Sequence, residues 1–483
     1  MRFVAFALFI VALLMTRCVA TTDDSSIKPR NTPLTRPEMK QSLEDMKRRK
    51  PRIPLPEMTP AEKENYGEGD RGYESRVREL YMPAGEGRGG FGFGASSPGG
   101  RLAGSGSRPG VSDTIPGRES DPNMTLEYKF KTQLFWIVTR TNNCQYCMGH
   151  QESKLLGAGM TEDEIAALDF DWSQFEPAEQ AAFAFGRKFT YEPHRLADRD
   201  IDALREHYTD LQILEMLLSM AGNNAINRWK EGIGVPQSEN GGGFGRRPND
   251  GPGAEATLRA HSYLTPTPER FQDSITKVAA IAYDSSGQPA SQTITARPPL
   301  ESREHVEQSL AACRVRTPRL PLVDQDTAHS MMPESWTGPV PQWARLLANF
   351  PTSARSRIAS TTSADTRGEL SPVLKAQVSW IIARQDRAWY AAGLAKERLQ
   401  ELGQSQDEIY RLDGDWLDFS PVERAMFTVA RKLAASPVVL TDADVDNAVK
   451  LVGPRDVVQL ISYTANRASF DRITEAAGLQ LGP

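Results

Sequence analysis

The sequence predicts an all-α protein that contains one helical module twice, with about six helices in each copy. Apolar residues in segments 119–237 and 336–483 recur with the period of a helix, and no convincing apolar–polar alternation indicates a strand. A shift of 244 positions aligns the two segments without gaps. An internal repeat of this kind is typical of a duplicated structural unit.

The first twenty residues have the pattern of a secretory signal peptide. Arg2 precedes an apolar run from Phe3 to Met15, and the small residue Ala20 stands at the expected cleavage site. The run is short for a membrane span, and an uncleaved N-terminal anchor is the alternative. We therefore expect a protein that is exported to the periplasm or secreted, where disulfide bonds can form.

Composition sets two other segments apart. Residues 21–118 are rich in Gly, Pro and Arg, and we expect them to be disordered. Residues 238–335, which include Cys313, are expected to form a linker with little regular structure. The net charge of -5 comes from mixed signs without a basic stripe, which argues against nucleic acid as a partner.

The helices of the first copy follow from apolar spacing and from residues that favour helix starts. One helix begins near Thr125 and runs into the cysteine-containing stretch. The tetrapeptide beginning at Thr161 has the pattern of a capping box, and Pro177 suits the first turn of the next helix. Two further helices are predicted over residues 198–208 and 210–226.

Identical residues stand at many corresponding positions of the two copies. Core packing, and not substrate stacking, is the expected role of Trp136, Trp172 and Trp229. The matched pairs include Trp136 and Trp380, Arg140 and Arg384, Tyr146 and Tyr390, Asp169 and Asp413, Trp172 and Trp416, Arg187 and Arg431, and Arg228 and Arg472. The two copies should therefore share one fold.

Two of the four cysteines and one histidine form the candidate site. Cys144, Cys147 and His150 are spaced three residues apart and would share one face of a helix. Asn142 and Asn143 are candidate caps, and a helix N-terminus lowers the pKa of a thiol. A thiolate can attack a peroxide, a second cysteine can resolve the sulfenic acid to a disulfide, and an imidazole can transfer the proton.

Other uses of a Cys-x-x-Cys pair were weighed against this one. Attachment of c-type haem requires His directly after the second Cys, where Met148 stands. A thioredoxin fold requires a βαβ context, which the sequence does not indicate. A zinc site would use Cys144, Cys147 and His150, with Glu152 or water as the fourth ligand. Two unrelated buried cysteines are the remaining alternative.

The second copy lacks the thiols. The residues at the corresponding positions are Ala388 for Cys144, Ala391 for Cys147, Leu394 for His150 and Ala395 for Gln151. The helix is thus needed in both copies, whereas the thiols are needed in one. This difference favours a chemical role for the cysteines over a structural one.

The stretch from Asn142 to His150, with the acidic helix after it, resembles the alkylhydroperoxidase D and carboxymuconolactone decarboxylase superfamily. The resemblance covers residues 119–237 and, as a degenerate copy, residues 340–483. It implies a helical oligomer whose cysteine pair reduces peroxides with the help of a Glu–His proton relay. It also implies that Cys147 attacks the peroxide and that Cys144 is the resolving cysteine.

The relay residues that the resemblance implies are replaced in this chain. Thr132 stands at the position of the relay Glu, and Gln151 stands at the position of the relay His. His150 is one residue away from the latter, and Glu152 is the nearest carboxylate. Decarboxylase members of the superfamily use no dithiol, so the cysteine pair favours the peroxidase branch.

We therefore predict a thiol-dependent, peroxidase-like oxidoreductase that reduces hydrogen or alkyl peroxides. Cys144, Cys147 and His150 are the predicted catalytic residues, and no cofactor or metal is expected. The expected partners are the peroxide and a dithiol or thioredoxin-like electron donor, and the chain should form a homo-oligomer or an intramolecular pseudo-dimer. The alternatives are a non-enzymatic redox-sensing or scaffold protein, or a carboxymuconolactone decarboxylase-like enzyme.

Overall fold

A computed structural model of the protein describes residues 50–66, 71–83, 121–142, 144–170, 172–236 and 300–482. Within these ranges the fold is all-α and contains no strand, which confirms the predicted fold class. The predicted signal peptide, residues 1–20, lies outside the described residues, as do parts of the predicted disordered segment and linker. In the described ranges, none of the helices combines the length and the apolar character needed to cross a membrane.

The helices form two sets, each preceded by shorter elements. Helices α1 (Pro60–Tyr66) and α2 (Arg71–Tyr81) come first. The N-module, residues 121–236 where described, contains α3 (Tyr128–Asn142), α4 (Gln145–Gly157), α5 (Glu162–Phe170), α6 (Pro177–Tyr191), α7 (Asp198–Arg205) and α8 (Asp210–Ile233). Helices α9 (Arg303–Val315), α10 (Gln325–His329), α11 (Gln342–Leu347) and α12 (Pro351–Ser363) follow. The C-module, residues 371–482, contains α13 (Pro372–Asp386), α14 (Trp389–Glu401), α15 (Gln406–Arg411), α16 (Pro421–Ala434), α17 (Asp442–Val452) and α18 (Pro454–Ala476).

Each C-module helix begins 244 residues after the corresponding N-module helix. In two of the helix pairs, α5 with α15 and α6 with α16, similar residues at equivalent positions set the start. The hydroxyl groups of Thr161 and Ser405 accept a hydrogen bond from the third backbone N–H of α5 and α15. Pro177 and Pro421 occupy the first position of α6 and α16, where the missing N–H costs nothing.

A carboxylate ties the first helix of each module to the end of α5 in the N-module and to the segment just after α15 in the C-module. Asp169 accepts hydrogen bonds from Nε1 of Trp136 at 2.7 Å and from Nε of Arg140 at 2.8 Å. Asp413 accepts the equivalent bond from Nε1 of Trp380 at 2.8 Å. Both tryptophans are fully buried, so the core packing expected of Trp136 is confirmed. In each case the indole N–H also has a hydrogen-bond acceptor in the core.

Some residues predicted to be disordered or to form a linker are helical and packed. Helix α2 packs against α18, and α9 packs against α14. Tyr73 and Val77 of α2 belong to the buried core. The prediction of disorder is therefore wrong for residues 50–66 and 71–83, and the prediction of little regular structure is wrong for residues 300–335. Short helices gain most of their stability from packing, which local composition does not reveal.

The last helices of the two modules, α8 and α18, pack along each other. Gly232 allows their close approach, because a Cβ atom at this position would lie 2.4 Å from Cγ2 of Ile461. The hydroxyl of Ser469 donates a hydrogen bond to the carbonyl of Ala221, 2.6 Å away on the facing helix. The modules thus share one continuous core instead of meeting at a separable surface.

Two buried arginines cross this interface in a reciprocal manner. Nη2 of Arg228 donates to the carbonyl of Ala434 at 2.8 Å, and Nη2 of Arg472 donates to the carbonyl of Thr190 at 3.0 Å. The two arginines are 244 residues apart, and so are the two carbonyl groups. Each module therefore offers the same donor and the same acceptor to the other, as the subunits of a two-fold symmetric dimer do.

We expect Arg472→Met to destabilise the protein strongly. Arg472 pairs with Asp386 at 2.7 Å, and both side chains are fully buried, so the variant leaves a carboxylate buried without its cation. The free energy of unfolding should fall by about 3–5 kcal/mol in guanidinium titrations at pH 7. Arg455→Met is the matched control, because the pair with Glu369 at 3.3 Å is exposed and should contribute less than about 1 kcal/mol. Equal losses in the two variants would contradict the expectation.

Candidate functional site

A break between α3 and α4 positions the two thiols. Cys144 is the N-cap residue of α4, with an extended backbone at φ -82° and ψ 95°, and Cys147 is the third residue of the helix. The sequence predicted one helix running into this stretch, with Asn142 and Asn143 as caps. The structure corrects this, because Asn142 ends α3 and Cys144 holds the cap position; Asn143 lies outside the described residues.

The sulfur atoms of Cys144 and Cys147 lie 2.7 Å apart, and both are thiols. The residues are 0% and 2% exposed. Burial, together with the neighbouring sulfur of Cys147, raises the pKa of Cys144 well above its ordinary value, so Cys144 keeps its proton and donates it towards Cys147. Cys147 lies in the first helical turn, where unpaired backbone N–H groups favour negative charge. The pair is thus arranged with the proton of Cys144 directed at the sulfur of Cys147.

Lys154 supplies a positive charge to the same face of α4. It stands seven residues after Cys147, two helical turns away, and it interacts electrostatically with that sulfur. Burial lowers the pKa of Lys154, and its Nζ atom lies 5.8 Å from the centre of the Phe135 ring. The predicted catalytic set did not include this lysine, although its seven-residue spacing from Cys147 is visible in the sequence.

His150 is held neutral next to two lysines. Burial, Lys230 and Lys154 lower its pKa to about 4. Its ring stacks on Tyr146 with 4.6 Å between the centroids, and Nδ1 lies 3.4 Å from the carbonyl oxygen of Tyr146. A proton on Nδ1 would donate to that carbonyl and leave Nε2 as an acceptor. His150 is therefore uncharged at neutral pH.

Helix α2 closes the side of the site that Tyr146 faces. Nζ of Lys230 lies 4.6 Å from the centre of the Tyr146 ring and forms an ion pair with Glu74 of α2. Glu74 also accepts from Nε1 of Trp229 at 2.7 Å and pairs with Arg78 at 3.1 Å. Burial opposes the ionisation of Glu74, but the cations of Lys230 and Arg78 outweigh it and lower the pKa to about 2. A segment predicted to be disordered thus forms part of the site.

The positions of the implied proton relay carry no titratable group. The hydroxyl of Thr132 donates to the carbonyl of Tyr128 at 2.8 Å, one turn back in α3. Gln151 is buried, and its Oε1 atom has no hydrogen-bond partner within the described part of the chain. Glu152 is half-buried on α4. The charged groups nearest His150 that affect its pKa include the two lysines, Lys230 and Lys154.

The structure also bears on the metal alternative and on the third thiol. In the ranges that are described, no three His, Cys, Asp or Glu side chains converge in a way that could hold a metal ion. Cys313, on α9, lies apart from the pair, with its sulfur 3.6 Å from the carbonyl oxygen of Leu479. Burial raises the pKa of Cys313, which disfavours its thiolate.

Residues of the C-module bind Asn142, which ends α3 just before the two cysteines. The side-chain amide of Asn142 donates to Asn224 at 2.9 Å and to Asn227 at 3.0 Å. The hydroxyl of Ser436 donates to the side-chain oxygen of Asn142 at 2.9 Å. The backbone N–H of Val438 donates to the backbone carbonyl of Asn142 at 3.2 Å. The position of the dithiol therefore depends on contacts from both modules.

The same turn forms in the C-module without thiols. Ala388, at the position of Cys144, has φ -87° and ψ 90° and caps α14. Its N–H donates to the carbonyl of Ala383 at 2.9 Å, as the N–H of Cys144 donates to Thr139 at 3.1 Å. The backbone of the turn thus does not require the sulfur atoms.

Comparison with known protein-family models and with curated proteins finds no match for this chain. Its chemistry has to be inferred from the residues of the site. These residues are two adjacent buried thiols at a helix N-terminus, a nearby cation and a neutral imidazole.

We expect Lys154→Met to slow the alkylation of Cys147 by iodoacetamide at pH 7. Removing the nearby cation disfavours the thiolate, which is the reacting form. A loss of about 1.4 kcal/mol of this interaction corresponds to a tenfold lower rate, which mass spectrometry of the Cys147 peptide can measure. Arg398→Met alters the equivalent position of the C-module and should leave the rate unchanged. A rate in Lys154→Met like that of the control would rule out this role.

We expect His150 to make the folded state less stable below neutral pH. Its folded pKa of about 4 lies below the ordinary histidine value of 6.5, so the unfolded state binds a proton between these pH values that the folded state does not. Stability should fall as pH drops from 6.5 to 4, by about 2 kcal/mol once the partial exposure of the ring is allowed for. His150→Gln should lack this component in urea titrations at pH 7 and pH 4. The same stability difference between the two proteins at both pH values would refute the expectation.

Proposed function

We propose that the chain is a thiol-dependent peroxidase of the alkylhydroperoxidase D type, exported from the cell and built from a duplicated module. The observation that carries this proposal is the adjacent pair of Cys144 and Cys147 at the start of α4, with 2.7 Å between the sulfurs. A disulfide bond measures about 2.05 Å, so its formation requires only a small movement. Alanine at both equivalent C-module positions supports a chemical purpose for the thiols.

In the first step, the thiolate of Cys147 attacks one oxygen of the peroxide. The O–O bond breaks, Cys147 becomes a sulfenic acid, and the other oxygen leaves as water or an alcohol after taking up one proton. Lys154 is the proposed source of this proton, because burial lowers its pKa and it interacts with the reacting sulfur. It replaces the acid that the missing Glu–His relay would have provided.

In the second step, the sulfur of Cys144 attacks the sulfenic sulfur, and water leaves as the disulfide forms. The Cys144 proton passes to the leaving hydroxyl of the sulfenic acid and completes the water, and uncharged His150 is proposed to relay it. A dithiol or thioredoxin-like donor then returns two electrons and two protons by thiol–disulfide exchange. The cycle needs no metal or organic cofactor.

The C-module acts in this proposal as the second half of an intramolecular pseudo-dimer. The common offset of the helix starts and the reciprocal contacts of Arg228 and Arg472 support a duplication. Its catalytic contribution is indirect, through the bonds from Ser436 and Val438 to Asn142. The carboxymuconolactone decarboxylase-like alternative is disfavoured because it has no use for the dithiol.

A non-enzymatic redox sensor is the second candidate, and the burial of both thiols favours it. Cys144 and Cys147 are almost inaccessible to solvent, so a peroxide reaches them only if the surrounding side chains move. A sensor needs one slow oxidation, whereas an enzyme needs repeated turnover. The two functions therefore differ in a rate that can be measured.

We expect the protein to reduce hydrogen peroxide or cumene hydroperoxide repeatedly with dithiothreitol as donor. Cys147→Ser should abolish turnover, because the attacking sulfur is lost, and Cys144→Ser should stop the cycle at a sulfenic acid that a cyclic diketone probe labels. Cys313→Ser is the control and should retain wild-type turnover. Equal turnover in the wild type and Cys147→Ser would refute the proposal, and a single oxidation without turnover would favour the sensor.

A further inference from the structure

The residue that ends the first helix of each module is an amide in one module and a carboxylate in the other. Asn142 ends α3, two residues before Cys144. Asp386 ends α13, two residues before Ala388. Both residues are fully buried. The thiols thus follow a neutral side chain, whereas the alanines that replace them follow an acidic one.

A second position of the same cluster differs in the same way. The side-chain amide of Asn142 donates to Asn227 of α8 at 3.0 Å, and Asn227 donates to the hydroxyl of Thr139 at 3.2 Å. The carbonyl of Thr139 accepts the backbone N–H of Cys144 at 3.1 Å, so these amides hold the backbone that carries the first thiol. The residue equivalent to Asn227 is Asp471, which is also buried. Two amides of the N-module therefore correspond to two carboxyl groups of the C-module.

The buried arginine of each module contacts the residue that ends the first helix. Arg472 binds both carboxylate oxygens of Asp386, at 2.7 and 3.1 Å. At the equivalent place, Nη1 of Arg228 lies 3.5 Å from the side-chain oxygen of Asn142. A carboxylate is a stronger hydrogen-bond partner for a guanidinium group than an amide is. The N-module thus has the weaker partner at the position next to the thiols.

Most other charges around the thiols are the same in both modules. Helices α3, α5 and α8 pack against α4, which carries the thiols. The titratable and charged residues of these four helices that lie near the thiols or pair with such residues include Arg140, His150, Lys154, Asp169, Lys230 and Glu231. Four of these six have the same charge at the equivalent position, namely Arg384 for Arg140, Arg398 for Lys154, Asp413 for Asp169 and Glu475 for Glu231. His150 and Lys230 correspond to Leu394 and Thr474. The exchange of amide for carboxylate is therefore not part of a general change of charge.

A carboxylate at position 142 would act on the thiols through space. Two residues of chain span at most about 7 Å, so the Cα atom of Asn142 lies within that distance of the Cα atom of Cys144. Both cysteines are buried, and buried charges are screened much less than charges at the surface. Because a nearby negative charge disfavours a thiolate, the pair would ionise less readily beside Asp than beside Asn.

We propose that Asn142 is a positioning residue of the dithiol, which holds the backbone before Cys144 through neutral hydrogen bonds and keeps negative charge away from both sulfurs. The inference rests on the proposed function, because it concerns the thiolate that the peroxidase reaction requires. It accounts for the weaker partner of Arg228, since the N-module has thiols at the following helix start and the C-module has alanines.

The test is Asn142→Asp in the full chain, which adds a negative charge and hardly changes the shape of the side chain. Alkylation of Cys147 by iodoacetamide should be at least tenfold slower at pH 7, and the pH of half-maximal rate should rise by about one unit. Asn142→Ser removes the amide without adding charge and should keep the wild-type pH of half-maximal rate. Circular dichroism shows whether each variant is folded. A folded Asn142→Asp protein with the wild-type pH profile, or the same shift in both variants, would overturn the proposal.

The C-module provides an independent check that leaves position 142 unchanged. Ala388→Cys combined with Ala391→Cys places a thiol pair at the helix start that follows Asp386. The thiol at position 391 should be alkylated at least tenfold more slowly at pH 7 than Cys147 of the same chain, and equal rates would contradict the proposal.

Peroxide turnover by the wild type tests the proposed function separately, because alkylation requires no peroxide. Absence of turnover, together with the expected shift in Asn142→Asp, would refute the peroxidase and support the role of Asn142. Turnover by the wild type, together with an unshifted pH profile in Asn142→Asp, would support the peroxidase and refute the role of Asn142.

Discussion

Arg228 is fully buried at the interface of the two modules, close to the end of α3 that precedes the two cysteines. Its guanidinium group donates to Asn224 on its own helix at 2.9 Å and to the carbonyl of Ala434 and the hydroxyl of Ser436 in the C-module, each at 2.8 Å. Ser436 in turn donates to Asn142, which ends the helix before the thiols. A charge can be buried only if its hydrogen bonds are provided, so this network requires both modules to be folded and in register. The position of the dithiol thus depends on both modules.

The fold could be predicted from the sequence where its determinants are local. Apolar periodicity and cap residues such as Thr161 and Pro177 act within a few positions, and the helices they predict are present. The ordering of α2 has a different origin. The hydroxyl of Tyr73 donates to the carbonyl of Ile233, which is 160 residues later in the chain, and Glu74 pairs with Lys230. No local pattern encodes partners at that distance.

For the candidate site, too, the local part could be predicted from the sequence and the long-range part could not. The spacing of Cys144, Cys147 and His150 and the alanines at the equivalent C-module positions identify the candidate thiols from sequence alone. The surroundings of the thiols required coordinates, because they depend on which distant side chains approach α4. Lys230 comes from α8, and its charge lowers the pKa of His150. Asn142 was expected to cap a helix, but its side chain instead binds Asn224 and Asn227.

The reciprocal arginines have a consequence for how such a chain can change over time. In a dimer of identical subunits, every substitution appears twice, so a site cannot be lost from one half and kept in the other. Joining both halves in one polypeptide removes that coupling. Arg228 and Arg472 preserve the shared interface, while Cys147 and Ala391 differ in chemistry. A single chain with two such modules can thus keep a symmetric architecture while its halves differ in chemistry, with one thiol pair for the two folded modules.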